Sequence, residues 1–229
     1  MPTCDPKRAD NRDRWHRDGD RIDLGRLRRS PQPVDLAARP DAVRLDLSRC
    51  AIVIIDMQND FLHSEGWFAT DRGANPQPLL DVVPRINELA AAARAAAMPV
   101  IHLNWGVRAD GLNLPANVRD KASDCGARRG YGDAGPQGPV LVAGSWGAQS
   151  IAAITVETGD IQIEKHRLSG FPETVLEGVL LRQDITTLIY CGVNTDRCVF
   201  ATLADGCFRG FDAVLVEDAC ATPSPPPCS

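Results

Sequence analysis

The chain has 229 residues and a formal net charge of −5 at pH 7, without long acidic or basic blocks. This length suits one α/β domain with a sizeable core, and the dispersed charge disfavours a nucleic-acid partner, whose phosphates are bound by clustered Lys and Arg. No apolar run approaches the roughly 20 residues that a membrane-spanning helix needs, and the charged N-terminus lacks the apolar core of a secretory signal. The sequence therefore predicts a cytoplasmic protein without a membrane or nucleic-acid partner.

The eight cysteines are spread along the chain, and several fall inside predicted strands or helices. Without an export signal, they are predicted to be reduced and mostly buried thiols. The sequence contains no C-x-x-C pair, which disfavours thioredoxin-like redox chemistry and a zinc ribbon.

Residues 1–47 are polar and lack periodicity, so we predict an irregular N-terminal arm followed by one domain over residues 48–229. Short apolar segments predict strands over residues 51–56, 99–103, 160–165, 186–192 and 212–218. Helical periodicity predicts helices over residues 78–97, 172–182 and 198–210, with a short helix near Ser150. The Gly- and Pro-rich stretch 104–145 is predicted to be a long loop that determines specificity.

Strands and helices alternate along the domain, which favours parallel strand pairing with right-handed crossovers. The predicted fold is a three-layer α/β (αβα) sandwich around a mostly parallel, Rossmann-like sheet. A doubly wound domain often closes with a further helix, and the Pro run in the last segment, ATPSPPPCS, cannot form one. We therefore expect the domain to lack that final helix.

Reactive side chains stand at the ends of several predicted strands. Asp56 ends the first strand, Lys165 ends the third, and Cys198 opens the helix after the fourth. Because ligands bind outside the carboxyl ends of parallel strands, these three side chains are expected to converge at one edge of the sheet. Asn104 and Trp105 follow the second strand and are expected at the same edge.

Cys198 follows the turn GVNTD at the start of a predicted helix. There the helix dipole and free N–H groups would lower the thiol pKa, which favours a nucleophile. The peptide N–H groups of Asn194 and Cys198 are candidates for holding the oxyanion of an acyl-transfer reaction. The alternative, a small buried hydrophobic residue, is the interpretation that we favour for Cys191, Cys207 and Cys220.

Asp56 and Lys165 each have a functional and an ordinary interpretation. A carboxylate beside a thiol is a plausible general base, whereas the alternative is a carboxylate that caps a loop. A fixed lysine cation would stabilise both the thiolate and the carboxylate, whereas most lysines are solvated. The combination with Cys198 favours the functional interpretation for both.

Three segments in chain order resemble the signatures of the isochorismatase-like cysteine hydrolase superfamily. They are IIDMQNDF at 54–61, EKHRLSGF at 164–171 and CGVNTDRCV at 191–199, and the similarity extends from about residue 40 to residue 222. The resemblance implies a Rossmann-like αβα fold and a catalytic triad of Asp56 as base, Lys165 as electrostatic partner and Cys198 as nucleophile. It also implies a cis Val193–Asn194 peptide bond and a homodimer or homotetramer.

Within this superfamily, the chain looks most similar to the branch of ureidoacrylate amidohydrolase and related ureide hydrolases. That resemblance implies a substrate pocket lined by Asn104, Trp105, Arg167 and Phe171. For Trp105, a packed loop anchor is an equal alternative. His166 departs from the Pro or Tyr expected after the lysine, a difference that bears on substrate orientation.

Nicotinamidases share this fold and carry a metal site of Asp and His near the second strand. The four histidines of this chain are His16, His63, His102 and His166, and none forms such a cluster after residue 104. No metal and no cofactor are therefore expected, and His102 is predicted to be a buried core histidine.

The sequence thus predicts a cysteine-dependent amidohydrolase that cleaves a C–N bond of a small amide or ureide through a thioester, releasing ammonia or an amine. The alternatives are a nicotinamidase-like or N-carbamoyl amide hydrolase, and a catalytically silent scaffold that keeps the fold. Isochorismate itself is disfavoured as a substrate, because cleavage of its vinyl ether needs no thiol nucleophile.

Overall fold

The computed structural model describes residues 15–25 and 29–224. The chain divides into two compact units between Ser48 and Arg49. Predictions that concern residues 1–14, 26–28 and 225–229, including most of the Pro run, lie outside the described residues.

The first unit contains two short antiparallel strand pairs. They are β1 (His16–Asp18) with β2 (Arg21–Asp23), and β3 (Pro33–Leu36) with β4 (Val43–Asp46). An ion pair of 2.6 Å between Arg44 Nε and Asp35 Oδ1 joins the second pair across its strands. The sequence analysis predicted no regular structure here, because strands of three or four residues are too short for side-chain alternation to be recognised.

The second unit is built on a five-stranded parallel sheet. In chain order, the strands of this unit are β5 (Cys50–Ile55), β6 (Val100–Trp105), a small hairpin of β7 (Ala134–Gly135) and β8 (Gly138–Pro139), β9 (Ile161–Lys165), β10 (Thr187–Val193) and β11 (Asp212–Ala221). The sheet order is β11-β10-β5-β6-β9, and every neighbouring pair is parallel. Each of these five strands begins within one residue of its predicted start.

Helices flank this sheet. They are α1 (Asn59–Leu62), α2 (Trp67–Arg72), α3 (Gln77–Leu80), α4 (Val83–Ala95), α5 (Ala116–Ser123), α6 (Leu176–Arg182) and α7 (Phe200–Phe208), the last preceded by a π-helical turn over Thr195–Val199. All six residues of β5 are buried, as its continuous apolar sequence predicts for a central strand. The predicted αβα sandwich with a parallel, Rossmann-like sheet is confirmed.

The helix predicted over residues 78–97 is divided into α3 and α4. Pro84 lies in the first turn of α4, where its missing N–H costs nothing, so it marks the start of a helix. The helix predicted to start at residue 172 begins at Leu176, because Glu173 has a left-handed backbone with φ of 58°. The helix α5, inside the predicted loop, was missed.

The short helix predicted near Ser150 is wrong, and the structure has turns there. The carbonyl groups of Trp146, Gly147 and Gln149 accept hydrogen bonds from residues of α1. Carbonyls used in this way are not available for the i→i+4 bonds of a helix.

Two adjacent strands approach each other closely at the centre of the sheet. Gly192 of β10 has φ of +114°, and a Cβ atom there would collide with the carbonyl oxygen of Ile55 in β5. Only glycine suits both conditions. The sheet order changes direction between these two strands, and in such folds ligands bind at this switch point.

Along the described ranges, no helix is both long and apolar enough to cross a membrane.

Candidate active site

Asp56 and Cys198 occupy the switch point of the sheet. Asp56 directly follows β5, with a left-handed φ of 55°, and Cys198 lies in the π-helical turn after β10. Because β5 and β10 are paired in the sheet, the carboxylate and the thiol come from neighbouring strand ends. Burial leaves Asp56 and Cys198 only 1% and 4% exposed.

Lys165 reaches this pair from β9, two strands away from β5. Its Nζ lies 3.0 Å from Asp56 Oδ2 and 3.3 Å from the carbonyl oxygen of Arg167. The Trp105 ring lies beneath the ammonium, with its centroid 4.2 Å from Nζ. Lys165 is wholly buried, and a buried charge is tolerated only when it is paired in this way.

The protonation of this cluster differs from the sequence prediction. Burial raises the pKa of Asp56, although the Lys165 charge opposes this. Burial, followed by the negative charge of Asp56, raises the pKa of Cys198 to about 12. The prediction that the helix start lowers the pKa of Cys198 is wrong, because desolvation and a neighbouring carboxylate outweigh it. Cys198 is therefore a neutral thiol at pH 7 and needs a base.

The turn before Cys198 has the backbone expected from the resemblance. The Val193–Asn194 peptide bond is cis. The carbonyl oxygen of Asn194 accepts hydrogen bonds from the N–H groups of Arg197 and Val199. The buried Asn194 Oδ1 has no hydrogen-bond partner within the described part of the chain.

Side-chain hydrogen bonds hold this turn in place. Asp196 accepts hydrogen bonds of 2.5 Å from Thr222 Oγ1 and 2.7 Å from Ser224 Oγ. From α7, Thr202 Oγ1 donates a 2.6 Å hydrogen bond to the carbonyl oxygen of Cys198. The turn that carries the nucleophile is thus held by hydrogen bonds at Asp196 and at Cys198.

Trp105 and Asn104, neighbours in β6, face different surroundings. Trp105 is buried against Lys165 and the ring of Tyr131. Asn104 donates a 3.0 Å hydrogen bond to Ser150 Oγ. It also lines a cavity of about 590 Å³ with His102, Trp105, Gln162, Glu164, Glu173 and Thr174. Both of these predicted pocket residues line the cavity, and Trp105 also contacts the buried cluster.

The predicted pocket residues Arg167 and Phe171 are not brought to the cluster by their side chains. The Arg167 guanidinium binds the carbonyl oxygen of Asn113 at 2.6 Å and Glu173 Oε2 at 2.9 Å, and only its backbone carbonyl reaches Lys165. Phe171 is buried against Phe211, with ring centroids 5.9 Å apart. In the structure, the Arg167 and Phe171 side chains are thus engaged by Glu173, Asn113 and Phe211.

His166 and His102 have structural partners. His166 Nε2 lies 2.8 Å from Glu173 Oε2. His102 is 1% exposed and its Nε2 lies 2.9 Å from Asp160 Oδ2, as expected for a buried core histidine. Among the residues that the structure describes, no three His, Cys, Asp or Glu side chains form a group that could hold a metal ion.

Tyr131 is a residue of the site that the sequence analysis missed. Its ring centroid lies 4.5 Å from that of Trp105. Burial raises the pKa of its hydroxyl, and negative charge on Cys198 and Asp56 raises it further. Tyr131 comes from the long 104–145 segment, where periodicity carries no signal for side-chain position.

Gln58 and Asp60, in the motif that contains Asp56, hold the segments around the cluster. The Gln58 amide exchanges two 2.8 Å hydrogen bonds with the backbone of Trp105. The Asp60 carboxylate accepts from the backbone N–H of Trp67 at 3.2 Å and of Leu141 at 2.8 Å. A run of polar residues directly after a buried strand was the signal that could have identified them.

Residues 50–227 match the family described as Isochorismatase domain. Ureidoacrylate amidohydrolase RutB of Klebsiella pneumoniae subsp. pneumoniae is 32% identical over 191 residues, which cover 81% of this chain and 79% of that protein.

Two solved structures are similar to the chain. A cysteine hydrolase from Pseudomonas syringae pv. phaseolicola 1448A has a TM-score of 0.66 and 29% sequence identity, covering 78% of this chain and 75% of its own. N-carbamoylsarcosine amidase from Thermoplasma acidophilum has a TM-score of 0.59 and 28% identity, covering 76% of this chain and 84% of its own.

Proposed function

The chain belongs to the isochorismatase domain family, and on that premise we propose that it is an amidohydrolase that cleaves a C–N bond of a small amide or ureide with Cys198 as nucleophile. The observation that carries the proposal is the buried cluster in which Lys165 lies 3.0 Å from Asp56 beside the Cys198 thiol. Acyl transfer to a thiol needs a nucleophile and a base, and the cluster supplies both.

The first half of the reaction forms the acyl-enzyme. Asp56 accepts the Cys198 proton as Sγ attacks the carbonyl carbon, and Lys165 compensates the negative charge of the cluster. The N–H groups of Asn194 and Cys198 hold the oxyanion; losing one such donor typically costs about 3 kcal/mol of transition-state stabilisation. The C–N bond then breaks, and the leaving nitrogen takes the proton from Asp56 and departs as ammonia or an amine.

The second half of the reaction frees the enzyme. Asp56, now a carboxylate again, accepts a proton from water as the water oxygen attacks the thioester, or the thiocarbamate in the case of a ureide. The C–S bond breaks and the proton returns to Cys198. A base whose pKa is raised by burial is suited to accepting and returning this proton.

The substrate class follows from the relatives. One acts on ureidoacrylate and another on N-carbamoylsarcosine, according to their names, so we propose a small ureide or N-carbamoyl compound. Asn104 and Trp105 line the cavity next to the cluster, which supports them as substrate contacts. The side chains of Arg167 and Phe171 pair with Glu173 and Phe211.

The test is release of ammonia from a panel of small amides and ureides by the wild type and by Cys198→Ala. Cys207→Ala is the matched control, because Cys207, contrary to its predicted burial, is an exposed free thiol on α7. We expect Cys198→Ala to lose at least a thousandfold in kcat and Cys207→Ala to stay within twofold. Full hydrolysis by Cys198→Ala would sink the proposal, and an unreactive wild type on every compound would favour the silent scaffold.

Oligomerisation and location complete the proposal. A homodimer or homotetramer is supported by two large apolar side chains left exposed on α7, Phe200 and Phe208. Light scattering at micromolar concentration should report two or four copies, and a monomer would contradict this. Free thiols at Cys125, Cys191 and Cys207 support the proposed cytoplasmic location.

A further inference from the structure

The catalytic cluster of the proposed function is closed to solvent. Asp56, Lys165, Cys198 and Trp105 are each 4% exposed or less. A substrate carbonyl has to come within about 3.5 Å of Sγ to react. Some side chain must therefore move before a substrate reaches the thiol.

Tyr131 is the half-buried member of this otherwise buried group. Its ring lies between two tryptophans, with centroids 4.5 Å from Trp105 and 5.4 Å from Trp67. Trp105 in turn contacts the Lys165 ammonium. The Tyr131 ring thus lies between the surface and the Trp105 side of the cluster.

Hydrogen bonds hold the backbone before and after Tyr131. The Arg129 carbonyl accepts a 2.8 Å hydrogen bond from Trp67 Nε1, and the N–H of Gly132 donates at 2.9 Å to Val140. Gly132 has φ of +86°, a conformation that glycine adopts without strain. With its neighbours held, the part of this segment that can move at low cost is the side chain, and there is open space beside the flanking Gly132.

We propose that the Tyr131 ring closes the entrance to Cys198 and determines which substrates reach it. Rotation of the ring would open space beside Trp105, through which a flat amide or ureide passes more readily than a branched acyl group. The role belongs to the ring, because packing against two tryptophans involves its faces and edges. This selectivity rests on the proposed function, whereas control of access to the thiol can be measured without any hydrolysis.

The test measures access to the thiol directly. The rate of Cys198 alkylation is followed by mass spectrometry of its peptide, at pH 9, with iodoacetamide as a small reagent and a fluorescein maleimide as a bulky one. The ratio of the two rates reports access, since a change in the thiol pKa alters both rates alike. The variants are Tyr131→Phe, Tyr131→Leu and Tyr131→Ala, with Leu112→Ala, at an exposed position of the same segment, as control.

We expect the bulky-to-small rate ratio to rise at least tenfold in Tyr131→Ala, to rise less in Tyr131→Leu, and to stay within twofold in Tyr131→Phe and Leu112→Ala. The folded state of each variant is checked by its unfolding midpoint, and the Leu variant carries the test if the Ala variant does not fold. An unchanged ratio in both Ala and Leu variants would overturn the proposal, whatever the hydrolytic activity.

A second readout separates ring from hydroxyl. If the ring controls entry, Tyr131→Ala raises the kcat/KM of a branched amide relative to a flat one at least tenfold, and Tyr131→Phe keeps the wild-type preference. If Tyr131→Phe loses kcat as strongly as Tyr131→Ala on the flat substrate, the hydroxyl acts in the chemistry and the entrance role is rejected. If the wild type hydrolyses none of the substrates but the alkylation ratio still rises in Tyr131→Ala, only the proposed function is rejected.

Discussion

At the scale of single residues, the site places an acid, a base and a thiol in a volume that excludes most water. The ion pair of Lys165 with Asp56 spans 3.0 Å. In such surroundings each charge depends on the others for its stability. The raised pKa values of Asp56 and Cys198 follow from burial before any other cause, so the environment, more than residue type, decides their chemistry.

Lys165→Met tests the role of the ammonium. The variant leaves the Asp56 carboxylate buried without a counter-charge, which we expect to cost about 3 to 5 kcal/mol of unfolding free energy and at least a thousandfold in kcat/KM. Denaturant unfolding and steady-state kinetics measure the two effects. Lys121→Met, at an exposed position of α5, should change neither, and equal losses in both variants would refute the assignment.

The pH dependence of the thiol follows from its neighbours. Because the pKa of Cys198 is raised to about 12, its alkylation rate should rise about tenfold per pH unit between pH 7 and pH 10. Asp56→Asn removes the charge that helps to raise it, so the rate should level off at a lower pH. A plateau below pH 8 in the wild type would show a thiolate at rest and contradict the neutral thiol.

Hydrolysis should have an acid limb set by Asp56. The base must be ionised to accept the Cys198 proton, and burial raises its pKa above the ordinary 3.8. We therefore expect kcat/KM to fall as the pH drops, with a midpoint above 3.8. A rate that stays constant down to pH 4 would argue against Asp56 as the base.

At the scale of elements, the segment after β5 holds the loops around the site through hydrogen bonds of Asp60. The Asp60 carboxylate in α1 accepts hydrogen bonds from the N–H of Trp67, at the start of α2, and from the N–H of Leu141, in the 104–145 segment. The carbonyl of Gly147 accepts from the N–H of Asp60. Asp60 therefore joins α1 to the start of α2 through its carboxylate, and to the distant Leu141 and Gly147 through its carboxylate and its N–H.

Asp60→Ala would leave two buried N–H groups without an acceptor. We expect a loss of about 2 to 4 kcal/mol of unfolding free energy, because unsatisfied buried donors retain their full desolvation cost. Urea unfolding followed by tryptophan fluorescence measures it. Asp81→Ala, at an exposed carboxylate after α3, is the control and should cost less than about 1 kcal/mol; comparable losses would contradict the joining role.

At the scale of the whole domain, one polar network connects α4, β6 and the segment before β9. Arg94 binds Asp160 through Nε at 3.0 Å and Nη2 at 2.6 Å, and His102 lies 2.9 Å from the same carboxylate. Burial lowers the pKa of His102. Burial alone would raise the pKa of Asp160, but the hydrogen bonds that it accepts outweigh this and lower it.

These shifts make the domain sensitive to acid. The folded state binds a proton at His102 less readily than the unfolded chain does, so stability is lost as the pH falls below the ordinary value of 6.5. Asp160 adds a further loss below its ordinary 3.8. His102→Gln should flatten the slope of unfolding free energy between pH 6.5 and pH 5, by at most about 1.4 kcal/mol per unit. Identical slopes would exclude His102.

Local patterns predicted the elements that carry the site. Continuous apolar runs and, for residues 160–165, an alternating pattern located all five strands of the sheet. The residues at the ends of two of these segments are Asp56 and Lys165. The turn at the start of a helix located Cys198. These features are local, since a buried parallel strand needs an apolar sequence and its last residue stands at the ligand-binding edge.

Only the tertiary structure decided the properties that depend on distant parts of the chain. The thiol pKa is set by burial and by a carboxylate 142 residues earlier in the chain, at Asp56. The packing of Phe171 on Phe211 and the position of Tyr131 against Trp105 arise from segments without periodicity. The sequence by itself determined which groups meet at the switch point, whereas desolvation and long-range packing determined their charge and the route by which a substrate reaches them.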